Sequence, residues 1–171
     1  MGLLEKIFFR NTIFPIKNID LDINKGSIGN KIQLGGSILE IEKNLGYPIS
    51  WWKMYKYSQW IYPQLGIAVE CAKDTINTIQ IGLNKNTGLY FDIEKNLFEP
   101  YKGTIIINNN KLHAKGLNPN IVKEILGKPK QEEVDEEEIT LEYEMEHYIG
   151  FDFNLDESIK YIFISKVYIY Q

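Results

Sequence analysis

The chain has 171 residues, 44% hydrophobic and 13% aromatic, with a formal net charge of −4. That is enough apolar material for one substantial core or two small fused ones, which excludes disorder as the default state. The negative balance builds no general positive field, so the electrostatic footprint of a direct nucleic-acid binder is missing.

Abundant Ile and Tyr favour pleated, half-buried surfaces, and a strand-rich protein is expected. At the N-terminus, Met1 to Arg10 breaks its apolar run with Glu5, Lys6 and Arg10 and offers no small-residue cleavage site. A standard secretion signal is therefore not expected. No stretch approaches the roughly 18 apolar residues of a membrane-spanning helix, and a reducing cytoplasm is the expected compartment. The single Cys71 cannot form an internal disulfide and reads as a buried thiol within a strand.

The first structural signal is a hairpin, with strands from Ile19 to Ile23 and Lys31 to Leu34 around an Asn- and Gly-rich turn. Gly36 and the N-cap Ser37 then open a short helix whose apolar stripe is Ile38, Ile41 and Leu45, with Gly46 and Pro48 as its stop. A strand is expected from Trp51 to Tyr62, a turn at Pro63-Gln64-Leu65-Gly66, a return through Ile67 to Cys71, and a further strand from Ile76 to Leu83. Asn84 to Lys102 reads as a connection that packs through its own apolar residues.

The second half begins alike. Strands from Thr104 to Ile107 and Lys111 to Ala114 flank Asn108-Asn109-Asn110, and Asn118 caps a helix with Pro119 in its first turn. Ile121, Ile125 and Leu126 form the expected stripe, and Gly127 and Pro129 end it. Ile139, Leu141, Tyr143 and Met145 alternate with Thr140, Glu142, Glu144 and Glu146, a period of two that puts apolar groups on one sheet face and acids on the other. His147 is expected to continue the apolar register, followed by a turn into Phe151-Asp152-Phe153, a strand from Ile159 to Ile164, and a C-terminal extension from Lys166 to Tyr170.

Ser37 to Pro48 aligns without gaps on Asn118 to Pro129, both reading cap, short helix, Leu-Gly-x-Pro. The expected fold is α+β: two tandem degenerate repeats, each a hairpin, a helix and an antiparallel meander, with the helices on one face of the sheet. The expected divisions are 1–83 for the first unit, 84–102 for the connection and 103–171 for the second unit.

A helix ending in Leu-Gly-x-Pro, followed by an aromatic strand, a Gly-containing turn and a returning strand, resembles the unit of β-lactamase inhibitory protein and of the BamE-type outer-membrane lipoproteins. The resemblance covers Ser37 to Leu83 and Asn118 to Ile164. It implies binding or inhibition of another protein rather than catalysis, and related tandem proteins resemble immunity proteins against toxins. The lipoprotein branch requires an N-terminal Cys, and the chain has only Cys71.

Chemistry is sparse. His113 and His147 have no Cys, Asp or Glu at a metal-ligand spacing, so neither a metal nor a cofactor is expected. No P-loop, dinucleotide fingerprint or nucleophile elbow occurs, and Gly35-Gly36-Ser37 is accounted for by the helix start. Two features exceed an ordinary solvated surface. One is the acidic stretch Glu132, Glu133, Asp135, Glu136, Glu137 and Glu138, read as a loop, continuing through Glu142, Glu144 and Glu146 on one strand face. Like charges at alternate strand positions repel, which invites a cationic partner. The other is the aromatic run from Trp51 to Tyr62, in which Trp51, Tyr55 and Tyr57 are candidate contact residues.

These features point to a non-enzymatic protein-binding inhibitor, first of all an immunity protein that neutralises a basic toxin such as a nuclease. A phage or mobile-element inhibitor of a host defence nuclease, such as an anti-CRISPR protein, needs the same surface. A small hydrolase with an unfamiliar site is the rival from another class.

Overall fold

A computed structural model describes residues 19–48, 50–54, 56–84 and 99–166, with 50–54 described by backbone alone. In the first half the order is β1 (Leu21–Asp22), β2 (Ser27–Ile28), β3 (Ile32–Gln33), α1 (Ile38–Leu45), β4 (Ser50–Met54), β5 (Tyr57–Tyr62), β6 (Ile67–Ala72) and β7 (Thr75–Gly82). The second half follows with β8 (Ile105–Ile107), β9 (Asn110–Leu112), α2 (Pro119–Leu126), β10 (Gln131–Val134), β11 (Glu138–Glu144), β12 (His147–Asn154) and β13 (Ile159–Lys166). The fold is α+β, with two sheets and two α-helices among the described residues.

Both helices stand where their caps place them. The Ser37 hydroxyl accepts from the Leu39 amide at 3.2 Å, and the Asn118 side chain accepts from the Ile121 amide at 3.0 Å. Each satisfies one amide that the first helical turn leaves without a partner. At the other end Gly46 and Gly127 take φ of 74° and 82°, and their amides donate to Glu42 and Lys123 carbonyls at 2.8 Å. Such positive φ is strained for any residue with a Cβ. Ile41 and Leu45 are fully buried, as the first stripe requires. In α2 the buried residues are Pro119 and Val122, with Ile125 and Leu126 packed at the core's edge and Ile121 half-buried, so the expected stripe is rotated.

The four strands after each helix form one antiparallel meander, and the two meanders join side by side. Their eight-stranded sheet has the order β10-β11-β12-β13-β7-β6-β5-β4, with β13 and β7 as the antiparallel seam. The short strands that precede the helices join likewise, in the order β3-β2-β1-β8-β9, where β1 runs parallel to β8 with Leu21 opposite Ile105. Leu21, Ile28, Ile32 and Ile105 from this sheet share a core cluster with Val69, Ile79, Phe151, Ile162 and Ile164 from the large one.

Two inner-face tyrosines tie the helices down. Tyr62 donates to the Gly46 carbonyl at 2.7 Å and Tyr143 to the Gly127 carbonyl at 3.2 Å, each sixteen residues beyond its glycine. The helices therefore lie on the inner face of the large sheet, leaving the outer face without a described helix.

Several strand boundaries differ from expectation. The first turn region forms a strand itself: Leu21 pairs with Ile28, and Ile28 in turn with Ile32. The run from Trp51 to Tyr62 is not one strand but a hairpin, because Met54 pairs with Tyr57 and Ser50 with Ile61. The acidic stretch is no simple loop either, since Gln131–Val134 is the edge strand of the large sheet. Met145 stands 45% exposed in the turn between β11 and β12, and His147 starts β12 rather than continuing β11. Tyr101 is buried at the end of the connection, with its amide bonded to the Gly82 carbonyl, whereas 85–98 and 167–171 lie outside the described residues.

Candidate functional site

Alternation along each strand divides the large sheet into two faces, and the register extends that division across strands. Leu141, Phe151 and Ile162 are successive cross-strand partners on the inner face, all fully buried. Shifting by one residue gives the outer face: Glu142 opposite Gly150, Gly150 opposite Phe163, and Phe163 opposite Gln80.

An aromatic strip occupies the middle of this outer face. The Phe163 ring lies 5.8 Å from that of Tyr148 and 6.4 Å from that of Tyr161, tilted by 33° and 37°. These spacings fall in the range of favourable ring contacts. Gly150 makes the strip possible, because a Cβ there would come within 2.0 Å of the Phe163 ring. All three rings are half-buried.

Polar groups surround the strip. Asp152 is 2% exposed and accepts hydrogen bonds from the Thr140 hydroxyl and from Tyr161. Burial pushes its carboxyl above the ordinary range, against the pull of those two hydroxyls. Burial, and then a hydrogen bond to Glu142, likewise raises the Tyr148 phenol.

The acidic residues singled out in the sequence are thus spread over several environments. Glu142 and Glu144 share the outer face, where Glu144 pairs with Lys130. Glu133 lies opposite Thr140 on the same face, at the exposed edge. Glu132 lies opposite Leu141, on the inner-face side, and pairs with Lys123 of α2. Glu138 pairs with Lys160. Asp135 accepts from the Glu137 and Glu138 amides at 2.7 and 2.9 Å, which hold its carboxyl below the usual range. Glu136, Glu137 and Glu146 are exposed in turns. β11 carries no Lys or Arg of its own, but Lys130 and Lys160, from neighbouring elements, pair with two of its carboxylates, and Lys123 pairs with Glu132 of β10.

The two candidate patches do not merge. Trp51 lies on β4, across from Trp60, and Tyr57 opens β5 at 57% exposure, whereas Tyr55 is outside the described residues. β4 and β10 are opposite edges of the sheet, about 34 Å apart at the usual strand spacing of about 4.8 Å. Tyr148, Tyr161 and Phe163 occupy the ground between them and were missed in the sequence. Their signal is faint: in Tyr161 to Ile164 aromatic and aliphatic residues alternate, and both classes count as apolar.

A second feature lies on the first half's side. Tyr57, Ser58, Gln59, Glu70, Cys71 and Asn77 line a cavity of about 150 Å³ beside an irregularity in the β6–β7 ladder at Glu70 and Cys71. Glu70, on the outer face of the sheet, lines it with its Oε1 accepting from the side-chain amides of Gln59 and Gln80, each at 3.2 Å. Cys71 is 1% exposed, and burial pushes its thiol up to about 12 in spite of a hydrogen bond with Ser58. That is far from the depressed value an activated nucleophile needs.

His113 is exposed beside β9, whereas the His147 ring packs against Gly26 of the first half. Among the described residues no group of three or more His, Cys, Asp or Glu side chains is placed to hold a metal ion. No described helix is long and apolar enough to cross a membrane.

No family model matches the chain, and no curated protein matches it. Among solved structures it is similar to a DUF4309-family protein, YjgB, of Bacillus subtilis, at a TM-score of 0.52 and 12% identity, covering 85% of this chain and 90% of that one. It is also similar, at a TM-score of 0.42 and 10% identity, to a cysteine-rich secretory protein of Staphylococcus aureus, covering 90% of this chain and 51% of that one. At such identity the first likeness speaks for a shared fold alone.

Proposed function

We propose that this protein is a non-enzymatic binding module that docks on another protein through the outer face of its eight-stranded sheet, as an inhibitor or immunity protein docks on a toxin. The observation that carries this reading is the strip of Tyr148, Phe163 and Tyr161, half-exposed on a sheet face that carries no described helix and bordered by Glu142 and Glu144. Aromatic rings held rigid in a sheet supply contact area at small entropic loss, and they are favoured at the energetic centre of protein interfaces. The carboxylates suit a basic partner, such as a toxin nuclease.

We further propose that the two halves are copies of one unit of the kind found in β-lactamase inhibitory protein. The same offset separates Ser37 from Asn118, Gly46 from Gly127 and Tyr62 from Tyr143, so cap, stop and tyrosine tie recur in matching places.

The test uses the partner that copurifies from the native organism, with binding kinetics measured for two variants. Replacing Glu136, Glu137, Glu142 and Glu144 with Gln is expected to slow association several-fold at low salt. The difference should fade near 1 M salt, where the screening length is about 3 Å. Tyr161→Ala is expected to speed dissociation at least tenfold, as loss of a central aromatic contact does. Unchanged rates in both variants would remove the outer face as the interface.

A further inference from the structure

The cavity beside Glu70 is concave and built around a single oriented carboxylate. A carboxylate is acceptor-only, so Gln59 and Gln80 must turn their amide nitrogens toward it. Both donate to Oε1, which fixes the plane of the group and leaves Oε2 without a hydrogen bond among the described residues. No described Lys or Arg pairs with Glu70, in contrast to Glu132, Glu138 and Glu144. Tyr57 lines the same cavity while remaining 57% exposed, and so presents an aromatic ring beside a negative charge. At about 150 Å³ the space is below the roughly 300 Å³ at which drug-sized ligand pockets begin. It suits the head of one side chain rather than a nucleotide or cofactor.

A carboxylate held in one plane next to an exposed ring is complementary to a planar cation. The guanidinium donates in that plane and lays its face on an aromatic ring, whereas an ammonium is a strongly hydrated point charge with no face to stack. We propose that the cavity between Tyr57 and Glu70 is a subsite for a guanidinium, supplied by an arginine side chain of the protein partner. The inference rests on the reading of the chain as a protein-binding module, and it names a chemical group that module would recognise.

The subsite is testable without the partner. The full chain, labelled with ¹⁵N, is titrated with N-acetyl-arginine amide while the side-chain amide signals of Gln59 and Gln80 are followed. Saturable shifts with a Kd of the order of 1 mM are expected, with the N-acetyl-citrulline amide, its uncharged isostere, producing none. Glu70→Gln keeps an oxygen for both amide donors, and it is expected to weaken binding more than tenfold while the rest of the spectrum is unchanged. Tyr57→Ala is expected to weaken it about three- to fivefold, and Tyr57→Phe to restore it. Equal shifts with citrulline, equal affinity for the lysine derivative, or undiminished binding by Glu70→Gln would overturn the assignment. Because the wild-type chain and Tyr161→Ala are also compared against the copurified partner, failure here leaves the outer face standing as an interface and removes only this subsite.

Discussion

Asp152 sits almost out of solvent on the outer face, and this has a consequence for stability. Its folded pKa is raised by burial, so at low pH it is protonated in both folded and unfolded chains and contributes nothing. As the pH climbs past the ordinary carboxylate value of about 3.9, the unfolded chain ionises freely while the folded one resists. Stability is therefore lost as pH rises through the folded pKa. Asp152→Asn keeps an oxygen for the Thr140 and Tyr161 hydroxyls without the charge. It is expected to be at least as stable as the parent at neutral pH and to lose this part of the pH dependence. Asp152→Ala leaves both hydroxyls without their acceptor and is expected to lose about 1–3 kcal/mol. Urea titrations of the three proteins at pH 4 and pH 7 measure both effects.

At the scale of the elements, each helix is held by a cap at one end and a tyrosine hydroxyl at the other. Removing the hydroxyl leaves a helix-terminal carbonyl short of a partner in a poorly solvated place, so Tyr62→Phe and Tyr143→Phe are each expected to destabilise the fold by about 1 kcal/mol. Tyr62→Phe should have the larger effect in thermal melts, since its bond is 2.7 Å long against 3.2 Å and its side chain is fully buried.

These helices were legible in the sequence because a cap, a stripe and a Gly-Pro stop are local signals within one short segment. The tyrosine ties were not, because their partner lies sixteen residues away and only a folded sheet brings the two together. The hairpin at Tyr57 was hidden for another reason. No Gly, Asn or Pro interrupts Trp51 to Tyr62, and so an unbroken aromatic run conceals a reversal of direction. The outer-face acids on β11 were visible through their alternation, but the strip beside them was not, because Tyr and Phe outside look like Ile inside. Glu70 in isolation says nothing at all: its character comes from Gln59 and Gln80 on the two flanking strands.

Across the whole molecule, the halves share both sheets. The β7–β13 seam pairs Ile79 with Ile164 and Ile81 with Ile162, four residues that are fully buried, and the β1–β8 pair adds a second junction. Separating the halves would expose this apolar surface and four new strand edges, so one cooperative unfolding transition is expected rather than two. The tryptophans, Trp51, Trp52 and Trp60, all belong to the first half and report on it alone. Their fluorescence and the far-ultraviolet circular dichroism of the whole chain should give coincident midpoints in guanidinium chloride. A tryptophan transition that precedes or trails the backbone signal would mean that the halves unfold separately.

The edge strand β10 also governs how one molecule meets another of its own kind. Its four residues, Gln131, Glu132, Glu133 and Val134, are all exposed at the rim of an eight-stranded sheet, the kind of place where copies join end to end into aggregates. If two copies paired antiparallel through this edge, inner face continuing inner face, the two-fold would set Glu132 of one opposite Glu132 of the other, or Glu133 opposite Glu133. Like charges set face to face across a ladder oppose its formation. The rim thus discourages self-assembly while leaving its backbone open, and that protection weakens as salt screens the carboxylates.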